Sequence, residues 1–204
     1  MTDFFRTYSQ QHLPLVTSAP LAGVTDAAFQ KILHECRCPV ICTEMIPTPS
    51  IAQHPGAIRK LLSRQPGIAP VIAQLYGYSP DHMARTVEYL ASLEFDGIDI
   101  NMGCPAKKIY RNGSGLALMN DLPRATRIVR AVRRATPLPL SIKIRLGVDR
   151  DDFQAPEFTR MAADEGVDFI TVHGRYRTSY TVPADWNRIA EVKASAGIPV
   201  IGNG

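Results

Sequence analysis

Apolar residues in this chain fall into short β-branched runs, separated by longer stretches in which they recur every three or four positions. The runs are LPLVTSAP (13–20), PVICTEM (39–45), PVIAQLYG (70–77), GIDINMG (97–103), LSIKIRLG (140–147), FITVHGR (169–175) and PVIGNG (199–204). Their length and their Val and Ile content predict buried strands. The stretches between them carry helix signals. SPDHMARTVEYLASL offers Ser79 as N-cap and Pro80 at the first helical position, with Met83, Val87 and Leu90 on one face. DLPRATRIVRAVRRA starts with Asp121 as cap, turns Ile128, Val129 and Val132 inward, and leaves Arg124, Arg127, Arg130 and Arg134 as a solvated stripe. TDAAFQKILHEC, PEFTRMAADEG and DWNRIAEVKASAG follow the same period, with Gly166 and Gly197 as helix stops.

Successive strands start roughly 25 to 30 residues apart, the length of a βα unit, with one interval of roughly 40. Strands alternating with helices predict an α/β chain with a parallel sheet. Seven such units point to a TIM (β/α)8 barrel truncated after its seventh strand, with an open doubly wound sheet as second choice. The long interval follows GIDINMG. Its residues, CPAKKIYRNGSGLAL, form an enlarged loop at the carboxyl end of the fourth strand, where barrels keep their chemistry. Polar residues gather at the same edge: Gln74, Asn101, Lys143, Arg145, His173 and Asn203. Lys143, between Ile142 and Ile144, is costly to bury without an anionic partner. Cys104 stands on a bend framed by Gly103 and Pro105, close to Lys107 and Lys108. That loop position argues against the usual fate of cysteine as a small buried hydrophobe.

Composition changes this picture only at the margins. A chain of 204 residues suits one sizeable domain or part of a larger one. Its 23 basic and 19 acidic residues give a net charge of +4, compatible with a polyanionic partner without requiring one. No apolar run reaches the about 18 residues of a membrane span, and the first residues lack a signal-peptide core, so a soluble, cytoplasmic protein is expected. Four cysteines do not make a disulfide framework. HECRCPVIC has no second ligand pair, so Cys36, Cys38 and Cys42 read as core packing and no metal is expected.

The ordered motifs APLAGVTDAAF (19–29), QLYG (74–77), DINMGCPAKK (99–108), KIRLG (143–147), HGR (173–175) and IPVIGNG (198–204) are similar to those of the tRNA-dihydrouridine synthases. The Asn-x-Gly-Cys-Pro element is the most specific of them. The resemblance implies an FMN-binding barrel, reduced by NADPH, that acts on uridines in tRNA and is a monomer when full length. It also implies that residues 1–204 are an incomplete catalytic barrel, without the eighth strand and the helical C-terminal RNA-binding domain of the family. Carried over by residue, Cys104 matches the proton donor. Pro20, Leu21, Ala22, Gln74, Lys143, His173, Asn203 and Gly204 match flavin contacts, and Asn101 and Arg145 lie beside the substrate. Leu21, Leu116 and Tyr176 depart from the family pattern.

The residue types suit that chemistry. Saturating the uracil C5–C6 bond needs hydride at C6 and a proton at C5, and a largely protonated thiol can supply the proton as a general acid. Hydride addition leaves negative charge on C5 and the C4 oxygen, which nearby donors stabilise. A uridine inside folded RNA must be flipped out to reach the site. Two other readings share these residues: a free-pyrimidine or dihydroorotate-type FMN oxidoreductase, and an inactive flavin- or RNA-binding fragment.

Overall fold

The structure, a computed structural model, describes residues 16–49, 61–64, 67–68, 70–177 and 181–204. Among the described residues six strands form one sheet: β1 (Ile41–Pro47), β2 (Val71–Tyr76), β3 (Gly97–Asn101), β4 (Leu140–Arg145), β5 (Phe169–His173) and β6 (Val200–Asn203). All neighbours pair in parallel, and the spatial order follows the chain from β1 to β6. A doubly wound sheet reverses its strand order at a switch point; this one does not, which is the arrangement of a barrel wall.

Helices among the described residues include α1 (Ala27–Glu35), α2 (Pro80–Leu90), α3 (Lys107–Arg111), α4 (Leu122–Ala135), α5 (Ala155–Asp164) and α6 (Trp186–Ser195). Asp26, Ser79, Asp121 and Asp185 accept hydrogen bonds from first-turn amides and so start α1, α2, α4 and α6. Helix α4 buries Ala125, Ile128, Val129 and Val132. Each of the three branched side chains contributes about 1.5–3 kcal/mol through burial. In the stripe that α4 leaves outside, Arg124 pairs with Asp121 and Arg130 grips Glu165 with two nitrogens. Gly166 ends α5 at φ +78, as the sequence predicts, whereas α6 stops at Ala196 in an extended conformation, before Gly197.

The first predicted strand is the clearest difference. Residues 13–15 of LPLVTSAP lie outside the described residues, and the rest makes a single parallel bridge, Thr17 to Val40. The Ser18 N–H reaches the Val40 carbonyl at 3.0 Å, but the next ladder donor would be Pro20, which has no N–H. The Cys42 N–H turns instead to Ser18 Oγ at 2.8 Å. Cys36, expected in the core, is exposed, because it caps α1 just before the left-handed Arg37 at φ 59. Cys42 is buried and Cys38 is part-buried against the core.

Directly paired residues on neighbouring strands project to the same face. Gln74, Asp99, Ser141 and Phe169 are thus one row, and Asn101, Lys143, Thr171 and Ile201 the next. Arg145, His173 and Asn203 form the top row. The intervening Ile98, Ile100, Ile142, Ile144, Ile170 and Val172 face the helices and form the main core. On the inner face a small apolar floor of Val40, Cys42, Ile72 and Phe169 underlies the polar rows.

Candidate active site

The enlarged loop after β3 is tied back to its own strand. Asn101 Oδ1 accepts from the Gly103 and Cys104 amides at 3.2 and 2.9 Å. The Cys104 carbonyl accepts from the Leu116 N–H at 3.0 Å, which closes the loop from its far end. Gly115 permits that closure. Its φ is +60, and a Cβ there would stand 2.8 Å from the Cys104 carbonyl oxygen and 2.9 Å from Ile109. Leu116, one of the departures from the family pattern, is fully buried. Cys104 is left part-exposed at the rim, and Lys107 and Lys108 on α3 point to solvent.

Beneath the loop, Asn101 Nδ2 donates to Gln74 Oε1 at 2.9 Å and lies 3.1 Å from Met45 Sδ. A bulge between Cys42 and Met45 in β1 turns Met45 to this face. Gln74 Nε2 donates to Asp99 Oδ2 at 2.6 Å, and Ser141 Oγ donates to Asp99 Oδ1 at 2.5 Å. Burial pushes the Asp99 carboxyl above the usual range, against the hydrogen bonds from Ser141 and Gln74 and the charge of Lys143.

Lys143 Nζ donates to Asn203 Oδ1 at 2.5 Å, so β4 and β6 meet across β5 at the rim. Burial pushes its ammonium down to about 8, with the Asp99 charge pulling the other way. Burial, then Arg145, Lys143 and Arg175, pushes His173 down to about 3, so its ring is neutral at physiological pH. Arg145 is buried and spans two loops: Nε donates to the Gly103 carbonyl and Nη1 to the Tyr176 carbonyl, each at 2.9 Å. That contact gives Tyr176, another of the departures, a defined place at the edge of the site.

A pocket opens beside these groups, lined by Ser18, Pro20, Asp99, Lys143, Gly202 and Asn203 among others. Its floor is apolar, from Ile72, Phe169 and Ile201, and its rim carries the Lys143 cation. Leu21 and Ala22 are exposed just beyond Pro20, in a turn fixed by Leu21 N–H to Thr25 Oγ1 and Gly23 N–H to Glu44 Oε2. Gly204 is exposed against Trp186 and Ala184.

The structure therefore brings together Cys104, Asn101, Gln74, Lys143, Arg145, His173 and Asn203. It sets Gln74, Asn101 and Arg145 as buried struts rather than rim groups. Sequence reasoning did not single out Asp99 and Ser141. The signal was present in the period-two alternation of GIDIN and LSIKIR, where both fall in register with the chosen residues. Among the described residues no group of three or more His, Cys, Asp or Glu could hold a metal, and no helix is long and apolar enough to cross a membrane.

A family model described as dihydrouridine synthase matches residues 17–204. The chain belongs to the dihydrouridine synthase family. It is 40% identical over 195 residues to "tRNA-dihydrouridine synthase B" of Xanthomonas campestris, covering 94% of this chain and 58% of that protein. It is 37% identical over 193 residues to a Rhodobacter capsulatus protein named "Probable tRNA-dihydrouridine synthase", covering 94% and 60%. The chain thus spans about 60% of the length of the curated relatives it matches. Among solved structures, histamine dehydrogenase from Rhizobium sp. 4-9 aligns with a TM-score of 0.67 at 14% identity, over 92% of this chain and 40% of that one. Morphinone reductase aligns with a TM-score of 0.60 at 10% identity, over 93% and 75%. At these identities the likeness speaks for the family's fold and no further.

Proposed function

We propose that this chain carries the catalytic barrel of an FMN-dependent tRNA-dihydrouridine synthase, which uses NADPH to reduce the C5–C6 bond of a tRNA uridine. The observation that carries the reading is the placement of Cys104. It lies beyond the carboxyl end of a barrel strand, on a loop closed by Asn101 and Gly115, and the inner face of the same sheet lines a pocket that includes Lys143. The family membership and the names of the relatives supply the reaction class.

The residues present fit the cofactor. An apolar floor suits a flat conjugated ring, and a part-buried ammonium whose partner is a neutral amide oxygen suits an edge that gathers negative charge. Lys143, Asn203, Pro20, Leu21, Ala22, His173 and Gly204 would hold FMN, which when reduced is the source of hydride for uracil C6. Gln74 supports the site from within the wall, since both ends of its amide are engaged. Cys104 delivers its thiol proton to C5. Arg145 holds the cysteine loop against the loop after β5, and the cations of Lys143 and Arg145 favour the charge that develops on the pyrimidine. His173, being neutral, serves as a hydrogen-bonding group and not as a proton source.

The test is dihydrouridine formation on unmodified tRNA by the purified protein with FMN and NADPH, read by nucleoside mass spectrometry. Cys104→Ala is expected to bind flavin and accept electrons from NADPH as before, while dihydrouridine formation falls by at least roughly 100-fold. Wild-type turnover by the alanine variant would remove Cys104 from the reaction. Reduction of free uracil or dihydroorotate formation without tRNA would replace the proposed substrate.

A further inference from the structure

The geometry points to Asp99 as a positioning residue for Cys104, acting through Gln74 and Asn101 as a chain of amides with one permitted direction. The inference rests on Cys104 being the proton donor. At the upper end stand the backbone N–H groups of Gly103 and Cys104, which can only donate. They require the Asn101 amide oxygen to face the loop, which turns its NH2 toward Gln74 Oε1 at 2.9 Å. Gln74 must then present its own NH2 in the opposite direction, where Asp99 Oδ2 receives it at 2.6 Å. Asp99 Oδ2 accepts there, and so ends the chain with the one polarity that the loop demands. Ser141 Oγ, donating to Asp99 Oδ1, engages the other carboxyl oxygen.

Burial makes the direction binding. Gln74 is 0% exposed, Asp99 4% and Asn101 6%, so a reversed amide would find no water to satisfy it. Reversing Gln74 would set its oxygen against the Asp99 carboxylate. Reversing Asn101 would set its NH2 against two backbone donors and release the Cys104 loop. Register supplies the remaining constraint: Gln74 and Asp99 are direct partners on β2 and β3, and Asp99 and Ser141 on β3 and β4. Three strands thus converge on the orientation of one loop. An acidic residue on the inner wall of a barrel, where branched apolar side chains are the rule, is explained by this task.

Peptide-resolved alkylation of the native full chain by iodoacetamide tests the inference, with exposed Cys36 as internal reference. Asp99→Leu is expected to free the loop, so that Cys104 reacts at least about fivefold faster while Cys36 is unchanged, and dihydrouridine formation falls roughly 10- to 100-fold. Asp99→Asn can present its oxygen to Gln74 and its NH2 to Ser141 Oγ, so it should restore the wild-type Cys104 rate. Should Asp99→Leu not fold, Gln74→Met cuts the chain one link nearer the cysteine and is expected to give the same acceleration. A folded Asp99→Leu or Gln74→Met protein with the wild-type Cys104 rate would overturn the inference, as would an Asp99→Asn protein that reacts like Asp99→Leu. Full turnover by Cys104→Ala would instead sink the proposed function and leave the alkylation result standing.

Discussion

The two faces of the sheet are made by alternate residues of the same strands, yet they obey different rules. Outward, Ile98, Ile100, Ile142, Ile144, Ile170 and Val172 meet the helices in a continuous apolar layer. Inward, Asp99, Asn101, Ser141, Lys143, Arg145 and His173 replace the branched apolar layers that usually fill a barrel. The outer face stabilises by area removed from water, a non-directional quantity that tolerates exchange among similar side chains. The inner face is directional: each buried polar atom depends on one particular neighbour, and losing that neighbour leaves a desolvated group behind. Stability and chemistry are thereby separated to opposite sides of one backbone, at a spacing of one residue.

Substitutions on each side should separate the two. The largest effect on folding belongs to the outer layer. Phe158 on α5 is among the largest fully buried side chains, and Phe158→Ala should lower unfolding stability by about 3–5 kcal/mol. Urea unfolding measures it, and any protein that remains folded should keep its flavin affinity. A loss below about 1 kcal/mol would mean that the helix layer repacks freely.

Lys143→Met probes the inner face, with a smaller effect expressed as binding. A lost hydrogen bond from a charged donor corresponds to roughly 10- to 100-fold in FMN affinity, with the circular dichroism spectrum unchanged. Because burial holds Lys143 at about 8, its cation is present below that pH and lost above it. Wild-type FMN affinity should therefore weaken by roughly 5- to 10-fold between pH 7 and pH 9, and the variant should lack that step. Equal affinities for wild type and variant at pH 7 would assign the lysine another task.

How far the sequence foretold each face follows from the same contrast. The outer layer was legible because Ile at every second position and the caps Ser79 and Asp121 are local signals. LPLVTSAP carried the apolar signal too, but Pro20 removes a ladder donor, a fact of pairing and not of hydropathy. On the inner face Cys104 and Lys143 stood out as polar residues in unlikely places. What Gln74, Asn101 and Arg145 bond to could not be read the same way. Their partners, Asp99, Met45 and the Gly103 and Tyr176 carbonyls, are set by register between strands many residues apart. Asp99 and Ser141 are marked in the sequence only by their alternation with isoleucine.

The smallest effect belongs to His173, and its sign distinguishes the faces. The folded-state value, pushed to about 3 by burial and by the cations of Arg145, Lys143 and Arg175, lies below the about 6.5 of an unfolded chain. Between those values the unfolded chain takes up a proton that the folded protein refuses. The contribution of the neutral ring is therefore fully present above about pH 6.5 and is lost progressively as pH falls toward about 3. In His173→Gln that share of the acid slope should vanish, so the difference in stability between wild type and variant narrows or reverses as pH drops. Denaturant midpoints at several pH values give the curve, and the imidazole signal missing from the variant identifies His173 in the proton NMR titration. An imidazole that titrates near 6.5 in the folded protein would show that the inner face is wet enough to carry another cation, and the contrast between the two faces would weaken accordingly.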